Sequence, residues 1–496
     1  MLLPDNLVQE VRQLKQVIDQ KDQRIKLLEE VIRVQNQQRF GASSEKSTDD
    51  QGQLFNEAEA LVDIPESGDE TEISVPAHTR KKQKRVSIPD DLPCEDIIHD
   101  LDETDKFCPH DGSALTCIGE ESHKQLDIEP AKIKVLRHLR KKYACPCCEQ
   151  YLITASKPAQ PIEKSIAAPG LLAYISVSKY VDALPLYRQV AIFKRIGIEL
   201  DRTTLANWMI KMGALVQPLI NRLQEIAIEQ SVLHMDETPV QVLNEPGKKA
   251  QSKSYMWLIA TQASLPVVLY HYSTGRSGDT PKELLVDFKG ALMTDGYEGY
   301  NAVCVSNELT RLGCWTHARR KFIDAQRQQP KGKSGKADMA LSFIQKLYGV
   351  EKSCKDKSID ERYHLRQTES KPIIEKLRQW LEKARQQTPP KSTLGKAVNY
   401  LHNQWSRLVA YLDDGRWPID NNRAENAIRP FVIGRKNWLF STSQAGARAS
   451  ANVYSLIETA KVNGLEPYAY LKKIFTLLPQ AQALEDIDAL LPWVDV

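Results

Sequence analysis

The run SVLHMDETPVQVL, Ser231 to Leu243, sets two acids, Asp236 and Glu237, inside what otherwise reads as a buried strand. A carboxylate in that setting must be desolvated, ion-paired or metal-bound, because a buried unpaired charge is strongly unfavourable. The residues that follow narrow the choice of fold. SYMWLIATQ and PVVLYHYSTGR continue as β-branched and aromatic runs separated by turn residues, so three consecutive strands form a meander. TPKELLVDF then has a helical period, with Thr280 as N-cap and Pro281 at the first position, and GALMTDGY returns to a strand ending at Asp295-Gly296. EGYNAVCV reads as a short helix, RLGCWTHA as a strand and RRKFIDAQRQ as a helix. The predicted order is β-β-β-α-β-α-β-α.

Among α/β arrangements this is the order of a ribonuclease H-like core, in which the first and fourth strands lie side by side. Asp236 on the first strand and Asp295 at the end of the fourth then face each other. Two carboxylates forced together repel unless a cation sits between them, and hard oxygen donors suit Mg²⁺ or Mn²⁺. Glu237, one residue on, is expected on the opposite face and reads as structural. A third acid is needed to complete two divalent sites. In WPIDNNRAENAIRPFVIGRKNWLF, Asp420-Asn421-Asn422 is a capping run, a helix starts near Arg423, and Glu425 lies in its first turn. Asn422 and Glu425 also have capping-box spacing, and Glu425 with Arg429 makes an i,i+4 pair, so a purely local role competes. The company of Arg423, Arg429, Arg435 and Lys436, with Trp438, favours the functional reading, since these cations suit a phosphate backbone beside the metals. Asp420 is the reserve candidate.

The interval between Asp295 and Glu425 is longer than such a core requires. Most of it, roughly Gln328 to Gly415, is charged and helical, with LSFIQKLYGVEK and KPIIEKLRQWLEKARQQ as its clearest helices, and reads as an all-helical insertion. GCWTHARRKF places Cys314 and His317 at C-x2-H spacing; two ligands do not make a metal site, so local packing or hydrogen bonding is the favoured reading.

The rest of the chain carries binding features. At 496 residues, domains of ~100–200 residues make roughly two to four of them the expectation. With 67 basic and 64 acidic residues the formal charge is only +3, so attraction to an acidic partner must come from local clusters. Leu7, Val11, Leu14, Ile18, Ile25, Leu28 and Ile32 follow a heptad that Lys21 breaks once, which suits a coiled-coil dimerisation element better than an amphipathic helix packed on its own domain. An acidic, aromatic-poor linker follows. The run Arg80, Lys81, Lys82, Gln83, Lys84, Arg85 neutralises phosphates or simply aids solubility. Cys145 and Cys148 form a C-x2-C pair of the kind that shares one tetrahedral Zn²⁺, with Cys108 and His110 or Asp111 as the other half; Cys117 and Cys147 are spares, and buried free cysteines are the alternative. YRQVAIFKRIGIELDRTTLANWMIKMG reads as two helices broken at Gly197, with Asp201 or Thr203 opening the second. Arg202, Thr203, Thr204 and Asn207 are its candidate DNA contacts if the pair is a helix-turn-helix rather than part of a bundle. Nine unevenly spread cysteines argue for reduced thiols. No run approaches the ~20 apolar residues of a membrane span and the N-terminus lacks a signal peptide's apolar core, so a cytoplasmic, nucleoid-associated protein with no membrane partner is expected.

RFGASSEK, the cysteine module ending KYACPCC, LPLYRQVAIFKRIG, HMDETPV, MTDGYEGYNAV, CWTHARRKF and IDNNRAENAIRPFVIGRKNWLFS together resemble the TnpC-type transposase of the insertion-sequence sixty-six family, over nearly the whole chain and in the right order. The resemblance implies a DDE transposase whose acidic triad matches Asp236, Asp295 and Glu425. Two Mg²⁺ or Mn²⁺ ions would serve catalysis, and the chain would bind transposon ends and target as double-stranded DNA, self-associate, and work with partner proteins of the same element. Family members carry two C-x2-C pairs in the zinc module; here Asp111 stands in place of one Cys, which bears on a structural Zn²⁺. The expected architecture is multidomain α+β. It comprises a coiled coil (1–41), a linker with the basic run (42–88), a zinc-ribbon-like β module (89–160) and a helical helix-turn-helix-like region (161–228). Then come the ribonuclease H-like α/β core (229–327), the helical insertion (328–415), the core helix with the third acid (416–465) and a helical tail (466–496). A ribonuclease H-like nuclease such as a junction resolvase, or an inactive DNA-binding regulator on the same fold, are the alternatives.

Overall fold

The structure, a computed structural model, describes residues 133–144, 152–262, 265–329 and 335–494, together with helical positions between Leu14 and Ile25. The basic run 80–85, the linker and the zinc-module candidates Cys108, His110, Asp111, Cys145 and Cys148 lie outside the described residues. Within the heptad stretch Leu14, Ile18 and Ile25 are exposed. Strands Lys142–Ala144 (β1) and Leu152–Thr154 (β2), which flank the Cys145–Cys148 pair in sequence, are paired antiparallel with Tyr143 opposite Ile153.

Among the described residues, helices α1 (Pro169–Tyr180), α2 (Leu186–Arg195), α3 (Arg202–Leu215) and α4 (Gln217–Ile228) lead directly into the main sheet. The chain turns between α2 and α3 at Gly197, whose φ of 81° suits a residue without a Cβ. There the Gly197 N–H donates to the Lys194 carbonyl and the Ile198 N–H to the Phe193 carbonyl, which closes the end of α2. Asp201 is the N-cap residue of α3. One side of α3 buries Leu205, Trp208, Met209 and Met212, while Arg202, Thr203 and Asn207 remain exposed and Thr204 is half-buried.

The sheet consists of β3 (Val232–Asn244), β4 (Lys253–Thr261), β5 (Val268–Ser273), β6 (Ala291–Thr294) and β7 (Thr310–Gly313) in the order β5-β4-β3-β6-β7. β3 pairs antiparallel with β4, and β6 and β7 run parallel to it. The first and fourth strands are therefore neighbours, as the order of elements predicts. Helices α5 (Asp279–Leu284), α6 (Asn301–Ser306) and α7 (Trp315–Gln326) make the connections. α5 begins one residue before the expected cap: Thr280 is inside it, buried, with its hydroxyl engaged by Ser273 Oγ at 2.9 Å and so not free to cap. The predicted strand RLGCWTHA also stops early. β7 ends at Gly313, Cys314 caps α7, and Trp315 to His317 form its first turn.

β3 is central because Val232, Leu233, His234 and Met235 are all buried, as expected for a strand covered on both faces. Its ladder with β6 ends at the His234–Met293 pair. The same edge is next used at Val242, where the short strand β8 (Ser441–Ser443) pairs in parallel. Between these two ladders the edge of β3 is open among the described residues, and Asp236 stands there.

Helix α13 (Asn422–Trp438) packs on β3 and β4, and α14 (Gln444–Val462) on β5. α14 is buried almost throughout. A Cβ on Gly213 would meet Ala449 Cα at 2.4 Å, so α3 and α14 touch backbone to backbone. α14 also seals the outer edge of β5 with its side chains. Val268 N–H donates to Thr459 Oγ1 at 3.0 Å, that hydroxyl donates back to the Val268 carbonyl at 2.9 Å, and Tyr270 N–H donates to Ser455 Oγ at 2.7 Å. An edge strand is thereby capped without a further strand.

Between α7 and α13 lie α8 (Lys336–Ser353), α9 (Ile359–Leu365), α10 (Lys371–Gln386), α11 (Thr393–Asn403) and α12 (Trp405–Val409). Of these, α8, α10, α11 and α12 share a separate apolar core with α7, built on Trp315, Phe322, Ile344, Leu377 and Leu401. After α14 come α15 (Pro467–Leu477), which packs on α1, and α16 (Leu484–Asp488). Among the described residues no helix is long and apolar enough to cross a membrane.

Because Thr459 satisfies both backbone groups of Val268 in a buried setting, Thr459→Val, which keeps the shape, is expected to cost about 2–3 kcal/mol. Thr459→Ser is expected to cost less than half of that; urea unfolding of the two variants checks the difference.

Candidate active site

Asp236 sits two residues past the last β3–β6 pair, and Asp295 directly follows β6, two residues past Met293 in the same register. The parallel pairing therefore carries both acids to the point where the strands part. Asp236 is half-buried and its Oδ1 accepts the Glu237 N–H at 2.8 Å. Burial first, then the charges of Glu237, Glu425 and Asp295, push its carboxyl well above the usual range. Asp295 Oδ1 accepts the Tyr297 N–H at 2.8 Å, which fixes the turn after β6. Arg311 on β7, itself buried, holds that turn from below: its guanidinium donates to Thr294 Oγ1 at 3.1 Å, to the Asp295 carbonyl at 3.0 Å and to the Tyr297 carbonyl at 2.6 Å.

Glu425 arrives from the first turn of α13 and is 3% exposed. Arg320 on α7 donates to its Oε2, and His317 Nδ1 lies 3.3 Å from its Oε1. Cys314 Sγ is 3.9 Å from the same Oε1. Burial raises the Glu425 carboxyl to about 7 against the opposing pull of Arg320, with Asp420 and Asp295 adding to the rise. Burial and the charge of Arg320 lower His317 to about 4, which leaves the imidazole neutral at pH 7.

Asn421 ties the parts together. Its Nδ2 donates to the Met235 carbonyl at 2.9 Å, its Oδ1 lies 3.0 Å from His234 Nδ1, and its N–H donates to Cys314 Sγ at 3.3 Å. One fully buried side chain thus links the strand of the first acid to the helix of the third. The helix starts at Asn422 with Asn421 as N-cap, so the Asn422–Glu425 capping box that the spacing would allow as a purely local role does not form. Asp420 points elsewhere, accepting from Tyr348 Oη at 2.7 Å and Thr316 Oγ1 at 3.2 Å, and so anchors α13 to α8 and α7.

Glu237 is buried and ion-paired with Arg276, and it accepts a hydrogen bond from the Tyr300 hydroxyl. Arg276 stacks on Tyr297, 3.8 Å from its ring centroid. Of the cations expected beside the site, Arg429 lies in the field of Glu425, Arg423 is half-buried, and Lys436 is exposed. Arg435 donates to Thr238 Oγ1 on β3 at 3.1 Å.

Among the described residues the three-donor group whose ligand atoms all lie within 4.8 Å of one another is Cys314, His317 and Glu425, not the acid triad. The triad's donors are all oxygens, and their mutual repulsion is what a divalent cation relieves. Arg320, Arg311, Arg276 and the bridging role of Asn421 escape a reading by motif. For Arg320 a signal was present in spacing: Cys314, His317 and Arg320 recur every three residues, which is one face of a helix but alternating faces of a strand.

Residues 164–449 match the family described as "Transposase IS66 family" and residues 455–493 the "IS66 C-terminal element". Residues 105–149 match the "zinc-finger binding domain of transposase IS66", and residues 27–97 "Transposase C of IS166 homeodomain". The chain is 33% identical over 502 residues to uncharacterized protein y4qI of Sinorhizobium fredii (strain NBRC 101917 / NGR234), an overlap of 98% of this chain and 92% of that protein. It is also 33% identical over 419 residues to uncharacterized protein y4jD of the same strain, covering 82% of this chain and 81% of that one.

A carboxyl raised in the folded state, from its usual 4.5 to about 7 for Glu425, holds an extra proton there. Its contribution to stability is present below the unfolded value and is lost as pH rises through the folded one. In EDTA, Glu425→Gln is therefore expected to be more stable than the parent at pH 8, by up to about 3 kcal/mol, and to lose that advantage at pH 5. Thermal melts across this range check it.

Proposed function

The chain belongs to the IS66 family of transposases, and from that premise we propose that it is a DDE transposase. In this reading it binds the terminal inverted repeats of its element and carries out divalent-metal-dependent strand cleavage and strand transfer. The reading is supported by the parallel register that brings Asp236 and Asp295 to the point where β3 parts from β6, and by the charges of Glu425 and Asp295, which add to burial in raising the Asp236 carboxyl. The strand order, with first and fourth strands adjacent, supports a ribonuclease H-like core, and the helices between α7 and α13 are its insertion.

Asp236 and Asp295 would hold one ion and Asp236 with Glu425 the other. When bound, such ions supply an activated water or 3′-hydroxyl and counter-charge for the leaving oxygen. The chain's own residues set the geometry. Arg311 fixes the turn of Asp295, Asn421 fixes Glu425 relative to β3, and Arg320 keeps Glu425 from swinging away. Arg423, Arg429, Arg435 and Lys436 lie along the same helix as Glu425 and suit contact with the sugar–phosphate backbone, which positions DNA without reading its sequence. The exposed Arg202, Thr203 and Asn207 at the start of α3, with Thr204, suit base contacts. The basic run 80–85 adds sequence-independent attraction, and Cys108, His110, Asp111, Cys145 and Cys148 are the ligand set of the zinc module. The exposed apolar positions of the N-terminal helix suit self-association.

Cleavage requires hydrolysis of one phosphodiester to expose a 3′-OH, and transfer requires that hydroxyl to displace a 3′-oxygen in target DNA. Both are phosphoryl transfers at one site, governed by positioning and charge. Asp236→Asn and Glu425→Gln are each expected to abolish Mg²⁺-dependent cleavage of oligonucleotides carrying the element's ends, by at least about a thousandfold. Gel-shift affinity for those ends should stay within about threefold, since the acids do not contact the DNA-reading helices. Loss of binding together with cleavage would make the acids structural. Joining of pre-nicked ends to target DNA separates a transposase from a resolvase.

A further inference from the structure

We propose that Cys314, His317 and Glu425 form a binding site for one transition-metal ion of the Zn²⁺ class, chemically distinct from the all-oxygen site for Mg²⁺. Cys314 is the N-cap of α7 and His317 follows three residues later, so both side chains rise from one face of the helix start. Glu425 comes from the first turn of α13 and is held over that face by the Asn421 N–H to Cys314 Sγ bond. The donor spacings, 3.3 Å from His317 Nδ1 and 3.9 Å from Cys314 Sγ to Glu425 Oε1, are close to the edges of a tetrahedron built on ordinary zinc–ligand lengths, roughly 3.3–3.7 Å.

Two further observations point to a cation here. His317 Nδ1 is a buried nitrogen without a hydrogen-bond partner, although a carboxylate oxygen lies beside it. Nitrogen and oxygen that face each other at this distance without a well-aligned proton between them gain from a shared positive ion. Arg320 donates to Oε2, the other oxygen, so Oε1 is left facing the thiol and the imidazole. A thiolate and an imidazole together select Zn²⁺ or Co²⁺ over Mg²⁺, and three protein ligands leave a fourth position for water. Binding converts the Cys314 thiol to a thiolate, with its proton released to solvent. Because Glu425 belongs to both sites, a Zn²⁺-class ion competes for the third acid of the proposed catalytic triad.

The test uses the full chain and Co²⁺ or Zn²⁺ as the probe, with Cys314→Ser and the more exposed His317→Gln as variants. After equilibration with Zn²⁺ and gel filtration, the parent should hold one more equivalent of metal than either variant. Thiols of the N-terminal zinc module contribute equally to all three and cancel in the difference. With Co²⁺ the parent's thiolate-to-metal charge-transfer absorbance should be larger than that of Cys314→Ser, and its tetrahedral visible bands larger than those of His317→Gln. Circular dichroism and melting identify a misfolded variant, in which case the other variant decides. Equal stoichiometry and superimposable Co²⁺ spectra overturn the proposal. The readout is metal bound and not DNA cut, so a chain that binds the ion yet fails to cleave leaves this site standing while the catalytic reading falls.

Discussion

Carboxylates gathered in a space of low dielectric repel one another, and that repulsion is the constraint to which most of the surrounding structure responds. Asp236, Glu237 and Glu425 are all withdrawn from water, and Asp295 stands within their field. Burying such charges without partners costs several kcal/mol each. The fold places a guanidinium near three of them: Arg276 on Glu237, Arg320 on Glu425, and Arg311 on the backbone that carries Asp295. Among the described residues Asp236 has no such ion pair; its Oδ1 accepts the Glu237 N–H, and burial with the nearby carboxylates pushes it toward the neutral form. Positive charge from outside would relieve this repulsion, which is the physical basis of the proposal that divalent ions bind here.

The architecture serves this arrangement. A short parallel ladder between β3 and β6 brings two acids to the same level and then stops, and β8 resumes pairing further along, so the edge of β3 is open where the acids stand. The third acid is delivered by a helix that follows the whole insertion in sequence yet is locked to β3 through one buried asparagine. Asp420, next to it, is committed to Tyr348 and Thr316. The position of Glu425 therefore depends on the packing of the helices between α7 and α13 as well as on the sheet, and the apolar core that most of them share with α7 supplies that rigidity.

Much of this was legible in the sequence. The order of strands and helices and Glu425 in the first turn of a helix follow from local periodicity and capping chemistry, and the neighbouring first and fourth strands from the fold class that this order suggests. The misreadings were local and have local causes. Thr280 does not cap α5 because its hydroxyl is used by Ser273. RLGCWTHA was expected to continue as a strand, but the chain bends at Cys314, and the change of period from two to nearly four residues turns two unrelated side chains into a pair on one face. From spacing alone Cys314 and His317 had no third donor beside them; the fold brings Glu425 near them from a helix more than a hundred positions away in sequence.

The amino-acid sequence by itself determined which segments become strands and helices, and which acids are placed where no apolar strand would otherwise tolerate them, because periodicity, capping and the cost of buried charge act over a few residues. The tertiary structure alone decided which side chains meet. Asn421 against Met235, Arg320 and His317 against Glu425, and Thr459 against the edge of β5 are contacts between residues far apart in the chain. Hydrogen bonds and ion pairs of this kind depend on angstrom-scale distances between elements, which are set by how helices and sheet pack and leave no periodic trace in the order of residues.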